Sequence, residues 1–149
     1  MDLSSLIISV VSFIVSTISI IISFKQNQNI NSLNIQSRYF EKIFDKYLIE
    51  EIPKARVYIR YYNNRLADVD KLIEVLGKLK SDSLYFKYSK KNFYEELKEN
   101  IDYLELFLTN CSNNSESDSD KQYQNLLEIG NKITSIYTII NEYSTGSKK

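Results

Sequence analysis

The residues of this chain best suited to chemistry are cations set among aromatic rings. Between positions 56 and 65, Arg56, Arg60 and Arg65 interleave with Tyr58, Tyr61 and Tyr62. Between 80 and 94, Lys80, Lys87, Lys90 and Lys91 interleave with Tyr85, Phe86, Tyr88 and Tyr94. A positive charge beside a ring face suits phosphates by ion pairing and bases by stacking. Arg56, Arg60, Arg65, Lys87, Lys90, Lys91, Tyr58, Tyr62 and Tyr88 are therefore the candidates for holding an anionic, nucleotide-type ligand. The competing reading is structural: the tyrosines form half-buried edges of a core while the cations face water or an acidic neighbour. No RNA- or DNA-binding motif accompanies the pattern, which weighs towards the structural reading.

Other reactive groups are scarce. There is no histidine, so histidine catalysis and histidine metal ligation are excluded. Glu95, Glu96, Glu99, Asp102 and Glu105 recur at helical spacing and read as a solvated or salt-bridged face rather than a gathered metal or acid site. Cys111 is the single cysteine, so it forms no intrachain disulfide, and its acidic neighbours discourage a thiolate. No nucleophile–base pair or phosphate loop is present. The expectation is a protein that is not an enzyme and uses no metal or cofactor.

The elements that must position these residues begin with Leu3–Phe24, which contains no charged residue, Asn, Gln, Gly or Pro. As a helix this stretch is about 33 Å long, enough to cross a hydrocarbon core of about 30 Å. Only Met1 and Asp2 precede it, with no positive charge; the apolar run is long and no small-residue cleavage site follows. It therefore reads as a membrane anchor, not a signal peptide. Ser5, Ser9, Ser12, Ser16, Ser19 and Ser23 follow alternating steps of four and three, the spacing of one narrow heptad face. Small hydroxylated residues allow close approach and hydrogen bonding between helices, so this face predicts self-association. In a monomeric anchor each hydroxyl would instead bond back to its own helix. The stripe resembles designed leucine/serine channel peptides, whose serine face lines a water-filled bundle.

Lys25, Arg38, Lys42 and Lys46 follow the anchor, which predicts an N-terminus outside and a C-terminal domain in the cytoplasm of a single-pass cell-membrane protein. Residues 25–50 form a polar neck, yet the seam continues through Gln26, Ile30, Leu33, Ser37, Phe40, Phe44 and Tyr47. One helix is expected from about residue 3 to 50, packing either between copies or onto the chain's own domain. Pro53 marks the boundary, because the residue before a proline is biased out of the helical region.

Residues 51–143 predict a helical domain. Residues 54–62 fit either a strand, with Val57, Ile59 and Tyr61 alternating, or a helix opened by Pro53. A helix is preferred because no second good strand is evident. Asn63–Asn64 is a turn signal. Asp68 is the expected cap of a helix burying Leu72, Val75, Leu76 and Leu79, with Gly77 a slight weakness in it. Ser89 is the expected cap of another, burying Phe93, Leu97, Ile101, Leu104 and Leu108. Asn110–Asp120 reads as an acidic, low-complexity mobile loop. A last helix, capped by Asp120 or Ser119, runs from Lys121 to about Tyr143 over Leu126, Leu127, Ile129, Ile133, Ile136, Tyr137 and Ile140. Residues 144–149 read as a flexible tail. Net charge is zero, but residues 51–94 carry ten Lys and Arg against five Asp and Glu, and residues 95–142 three against ten. Such halves attract within one fold or across protomers, and less often the basic one meets a polyanion.

The fold class that follows is all-α, one N-terminal transmembrane helix (1–24) continuing into a cytoplasmic helical bundle. In architecture it resembles the small single-pass effectors of bacterial anti-phage defence. That likeness implies a homo-oligomer whose serine-faced helices form a pore or perturb the bilayer under control of the cytoplasmic domain. The alternative is a membrane-tethered adaptor whose helical domain binds a protein partner. A seam along the serines has a direct consequence. In a Cys111→Ser background, cysteine at Ser9, Ser12, Ser16 or Ser19 should crosslink between chains, while cysteine at Ile8, Ile14 or Ile18 should not; equal crosslinking around the helix would remove the ordered seam.

Overall fold

A single helical path runs from Leu3 to Arg56 in the computed structural model, in three segments and two kinds of turn. Helix α1 (Leu3–Ile43) gives way to a π-helical segment (Phe44–Glu51), which passes into a short helix α2 (Ile52–Arg56). The structure describes residues 3–148, with side chains from Ser16 onward apart from Asn29 and Ser32. The chain divides into two units, Met1–Tyr39 and Phe40–Lys149.

The π-helical segment is how the chain stays helical through Pro53. Ile52 keeps helical angles (φ −63°, ψ −48°), so the break expected at this proline does not occur. The Ile52 amide donates to the Tyr47 carbonyl, five residues back. That leaves the Leu48 carbonyl one residue out of step: its next donor in the same pattern would be residue 53, a proline without an amide hydrogen. The Tyr137 hydroxyl, from the last helix, donates to the Leu48 carbonyl and fills the gap.

Beyond α2 the preference for a helix over 54–62 is corrected. The helix stops at Arg56, and Arg60–Tyr62 is a strand, β1, paired antiparallel with β2 (Arg65–Ala67) in the register Arg60–Ala67, Tyr61–Leu66, Tyr62–Arg65. Asn63 and Asn64 both have positive φ, at 49° and 62°. Two consecutive left-handed residues make the tight turn whose twist suits a hairpin, and Asn tolerates that conformation best after glycine. The partner strand is only three residues long, and Leu66 anchors it by being buried.

The remaining elements are helical: α3 (Asp70–Asp82), a 3₁₀ turn (Ser83–Tyr85), α4 (Phe86–Ser89), α5 (Lys91–Asn113) and α6 (Ser119–Thr145). The chain is thus mostly helical, with one small hairpin. The apolar periodicities read from the sequence are the ones that pack: Leu72, Leu76 and Leu79 on α3 are buried, as are Phe93, Leu97, Ile101, Leu104 and Leu108 on α5. On α6 Ile129, Ile133, Ile136 and Ile140 are buried, joined by Ile139 and Tyr143, whereas Leu127 faces solvent. Phe40 brings the end of α1 into this core. Its ring lies 4.5 Å from Phe86 and 4.9 Å from Phe93, which in turn lies 5.2 Å from Tyr143.

The helix starts differ from expectation. Asp68 has φ 60° and stands one residue before the cap position of α3, which Val69 occupies. Ser89 ends α4, its hydroxyl donating back to the Tyr85 carbonyl, and α5 opens after Lys90, which is out of the helical conformation (φ −145°, ψ 72°). Asp118 caps α6, its carboxylate accepting from the amides of Asp120 (2.9 Å) and Lys121 (3.4 Å). The loop between α5 and α6 is shorter than the expected 110–120, because α5 continues to Asn113. It is also tied to the hairpin by the Glu116 amide donating to the Asn64 carbonyl at 2.7 Å. The helix extends into the expected tail, as far as Thr145.

Among the residues whose side chains are described, no helix is long and apolar enough to cross a membrane. The expected span Leu3–Phe24 enters that description only from Ser16; the side chains of its first part, with Ser5, Ser9 and Ser12, lie outside it.

The Pro53–Leu48–Tyr137 arrangement makes a testable prediction. Tyr137→Phe should lower the free energy of unfolding by about 1–3 kcal/mol, the cost of stranding a carbonyl away from water. In a Pro53→Ala background, where residue 53 regains an amide, the same substitution should cost less. Denaturant unfolding of the four proteins of this cycle measures both, and an equal cost in the two backgrounds would contradict the account.

Candidate functional site

The structure separates the candidate cations into three settings. Arg56, at the end of α2, lines a cleft of about 570 Å³ with Ile52, Pro53, Val57, Ile133, Thr134 and Tyr137. Lys90 and Lys91 line a second cleft, of about 450 Å³, with Ser89, Asn92, Phe93, Tyr143, Gly146 and Lys148. Tyr58 belongs to a third, of about 500 Å³, among Lys54, Lys71, Glu74 and Lys78. Arg60, Arg65 and Tyr62 lie on the hairpin, exposed, and Lys87 and Tyr88 are exposed on α4.

Most of these cations already have partners. Arg60 Nε is 3.8 Å from Asp68, Lys91 Nζ is 3.5 Å from Glu95, and Lys90 Nζ donates to the Tyr143 carbonyl at 3.2 Å while sitting over the Phe40 ring. Tyr58 carries the Lys71 ammonium 4.4 Å from its ring centre, and Lys87 lies 5.9 Å from the Tyr88 ring. In the second cleft Lys148 reaches both Glu96 oxygens, at 2.6 and 2.8 Å. Arg56 is different. Among the described residues its guanidinium enters no ion pair.

The acidic face of α5 is salt-bridged. Lys80 Nζ lies 2.8 Å from both Asp102 and Glu105, and Lys98 pairs with Asp102 from the same helix. These pairs hold the Asp102 carboxyl below its ordinary value, the Lys80 hydrogen bond contributing most. The opposed halves of the sequence therefore meet within the fold at Lys80. Among the described residues no three metal-ligating side chains gather. Cys111 is half-buried, and burial pushes its thiol up, away from the thiolate. Of the serine face, Ser16, Ser19 and Ser23 are described and exposed.

Two arrangements went unread in the sequence. The first is a triad on the π-helical segment. The buried Tyr47 donates its hydroxyl to Asp82 at 2.7 Å, while Lys46 Nζ donates to Tyr47 at 2.8 Å and to Asp82 at 2.9 Å. It ties the helical path to the C-terminal end of α3, and only the two adjacent residues Lys46 and Tyr47 could have hinted at it. The second is the use of Gly130. A Cβ at that position would stand 3.1 Å from Arg56 Nη2, so the glycine makes room for the guanidinium across α6.

The fold and these clefts define a mostly helical protein with small surface clefts. No protein family, no curated protein and no solved structure matches the chain.

The Tyr47–Asp82–Lys46 triad sets a pH dependence. Hydrogen bonds from Tyr47 and then Lys46 hold the Asp82 carboxyl below its ordinary value of 3.8. Its contribution to stability is then complete above that value and lost as pH falls below it. Burial pushes the Tyr47 hydroxyl up to about 12, so its contribution holds below 10 and disappears as pH climbs towards 12. Asp82→Asn should lower the unfolding midpoint at neutral pH, and the gap from the parent should close as pH drops below 3.8. A gap independent of pH would exclude the charged hydrogen bonds as its source.

Proposed function

We propose that the protein is a single-pass membrane protein whose serine-faced N-terminal helix assembles copies into a pore or membrane-perturbing bundle, governed by the domain that follows Tyr39. The observation that carries this reading is the continuity of α1. One helix includes the whole apolar stretch Leu3–Phe24 and runs on to Ile43, and its described apolar side chains, Ile18, Ile20, Ile21, Ile22 and Phe24, are all more than half exposed in the single chain. Such a run of large apolar groups requires a cover, and lipid on one side with neighbouring helices on the other supplies it.

The seam supports the same reading and limits it. Phe40 and Tyr47 are buried, and Phe44 half-buried, against the chain's own core, whereas Ile30 and Leu33, on the same alternating spacing, are 52 % and 63 % exposed. Contacts between copies would accordingly run along α1 only as far as about Ser37. In this reading the N-terminus is outside and the domain cytoplasmic, and the role is that of an effector of the anti-phage type. If the helix only tethers, the domain serves as an adaptor for a protein partner.

Replacing Ser9, Ser12, Ser16 and Ser19 with Leu keeps the hydrophobic length and removes the surface that water can wet. With inserted amounts matched by blot, expression of the parent should depolarise cells and the four-Leu variant should not. Equal depolarisation would dismiss the pore and leave the tether.

A further inference from the structure

We propose that the cleft between α2 and α6 binds a small amphipathic carboxylate, an acyl chain of medium length whose head group pairs with Arg56. This goes beyond the membrane reading, which enters only in the choice of sample for the test. The walls are hydrocarbon: Ile52, Pro53, Val57, Ile133 and the ring of Tyr137. Val57, at 79 % exposure, leaves an apolar mouth open to solvent. At about 570 Å³ the space is on the scale of small-molecule sites.

The polar groups of the cleft are already committed, with one exception. Thr134 donates its hydroxyl to the Gly130 carbonyl at 2.9 Å, and Tyr137 donates to the Leu48 carbonyl. Arg56 has no ion-pair partner among the described residues, and its planar fork can take both oxygens of a carboxylate. Gly130 lets that fork lie across α6, since a Cβ there would come within 3.1 Å of Nη2. One cation beside apolar walls calls for one negative charge joined to a hydrocarbon tail. A nucleotide would bring several charges to a cleft holding a single arginine and no other cation.

The test is calorimetric titration of the full chain, in nanodiscs of zwitterionic lipid, with sodium octanoate, octanol and sodium acetate, each corrected for empty nanodiscs. Octanoate should bind saturably, and acetate and octanol each at least about tenfold more weakly, since a charge-assisted pair is worth a factor of that order. Arg56→Gln should weaken octanoate by about tenfold or more, whereas Lys91→Gln, in the second cleft, should not. No saturable octanoate binding, unchanged binding by Arg56→Gln, or octanol or acetate binding as tightly as octanoate would each overturn the proposal.

Discussion

A proline cannot donate a backbone hydrogen bond, and the second unit of this chain is arranged around the one it has. The chain stays helical through Pro53 with its hydrogen-bond pattern widened before it, and the widened turn strands the Leu48 carbonyl. A tyrosine some ninety residues later in the chain meets that need. The hydroxyl of Tyr137 can do so only if α6 lies against the π-helical segment, so a local backbone defect fixes a long-range contact. The same turn carries Ile52 into the core and leaves Arg56 at the cleft mouth, on the side where α6 has a glycine. Lys46 and Tyr47 then bind the segment to α3 through Asp82. Two polar attachments, on opposite partners, hold a stretch that intrinsic propensity would not favour.

One repeat in this chain serves two purposes. From Phe40 onward the alternating seam is consumed by the chain's own core, in the cluster of Phe40, Phe86, Phe93 and Tyr143. Before it the same spacing presents Ile30 and Leu33 to solvent. The charged halves show a related economy: Lys80 is met by two carboxylates of α5, and Lys148 folds back on Glu96. What attraction remains for a partner is therefore smaller than the charge counts alone suggest.

The parts of the fold that can be read from the sequence are those governed by side-chain periodicity. The stripes on α3, α5 and α6 are legible because burial of one face dominates the energetics of an amphipathic helix. Backbone hydrogen bonding is less visible. Nothing in the residue types of the segment 44–51 announces a π-helix, which arises from a proline downstream and a tyrosine far away. The hairpin is half legible: Asn63–Asn64 marks the turn and Val57, Ile59 and Tyr61 alternate, but a three-residue partner strand is too short to show a period. Asp68 and Ser89 suit a cap by residue type alone, whereas Asp118, one or two residues before the expected cap, has the geometry. The candidate cations are as numerous as the sequence indicates. Lys91–Glu95 is legible as an i,i+4 pair on one helix, but Asp68, Tyr143 and Phe40 come from other elements. Only folding could therefore show that Arg56 is the cation left, among the described residues, without an ion pair in a cleft. Gly130 gives no signal because its role depends on what crosses it.

The ion pairs have one more effect, on the protein as a colloid. Asp82 and Asp102 titrate below their ordinary values, Lys46, Lys80 and Lys148 above theirs, and there is no histidine between them. The buffering gap between acids and bases is wide, and the formal charge at pH 7 is zero. Molecules without net charge have no long-range repulsion to keep them apart at any ionic strength. Near pH 7 what acts between copies of this chain is the short-range pattern of its basic and acidic stretches, not a net charge.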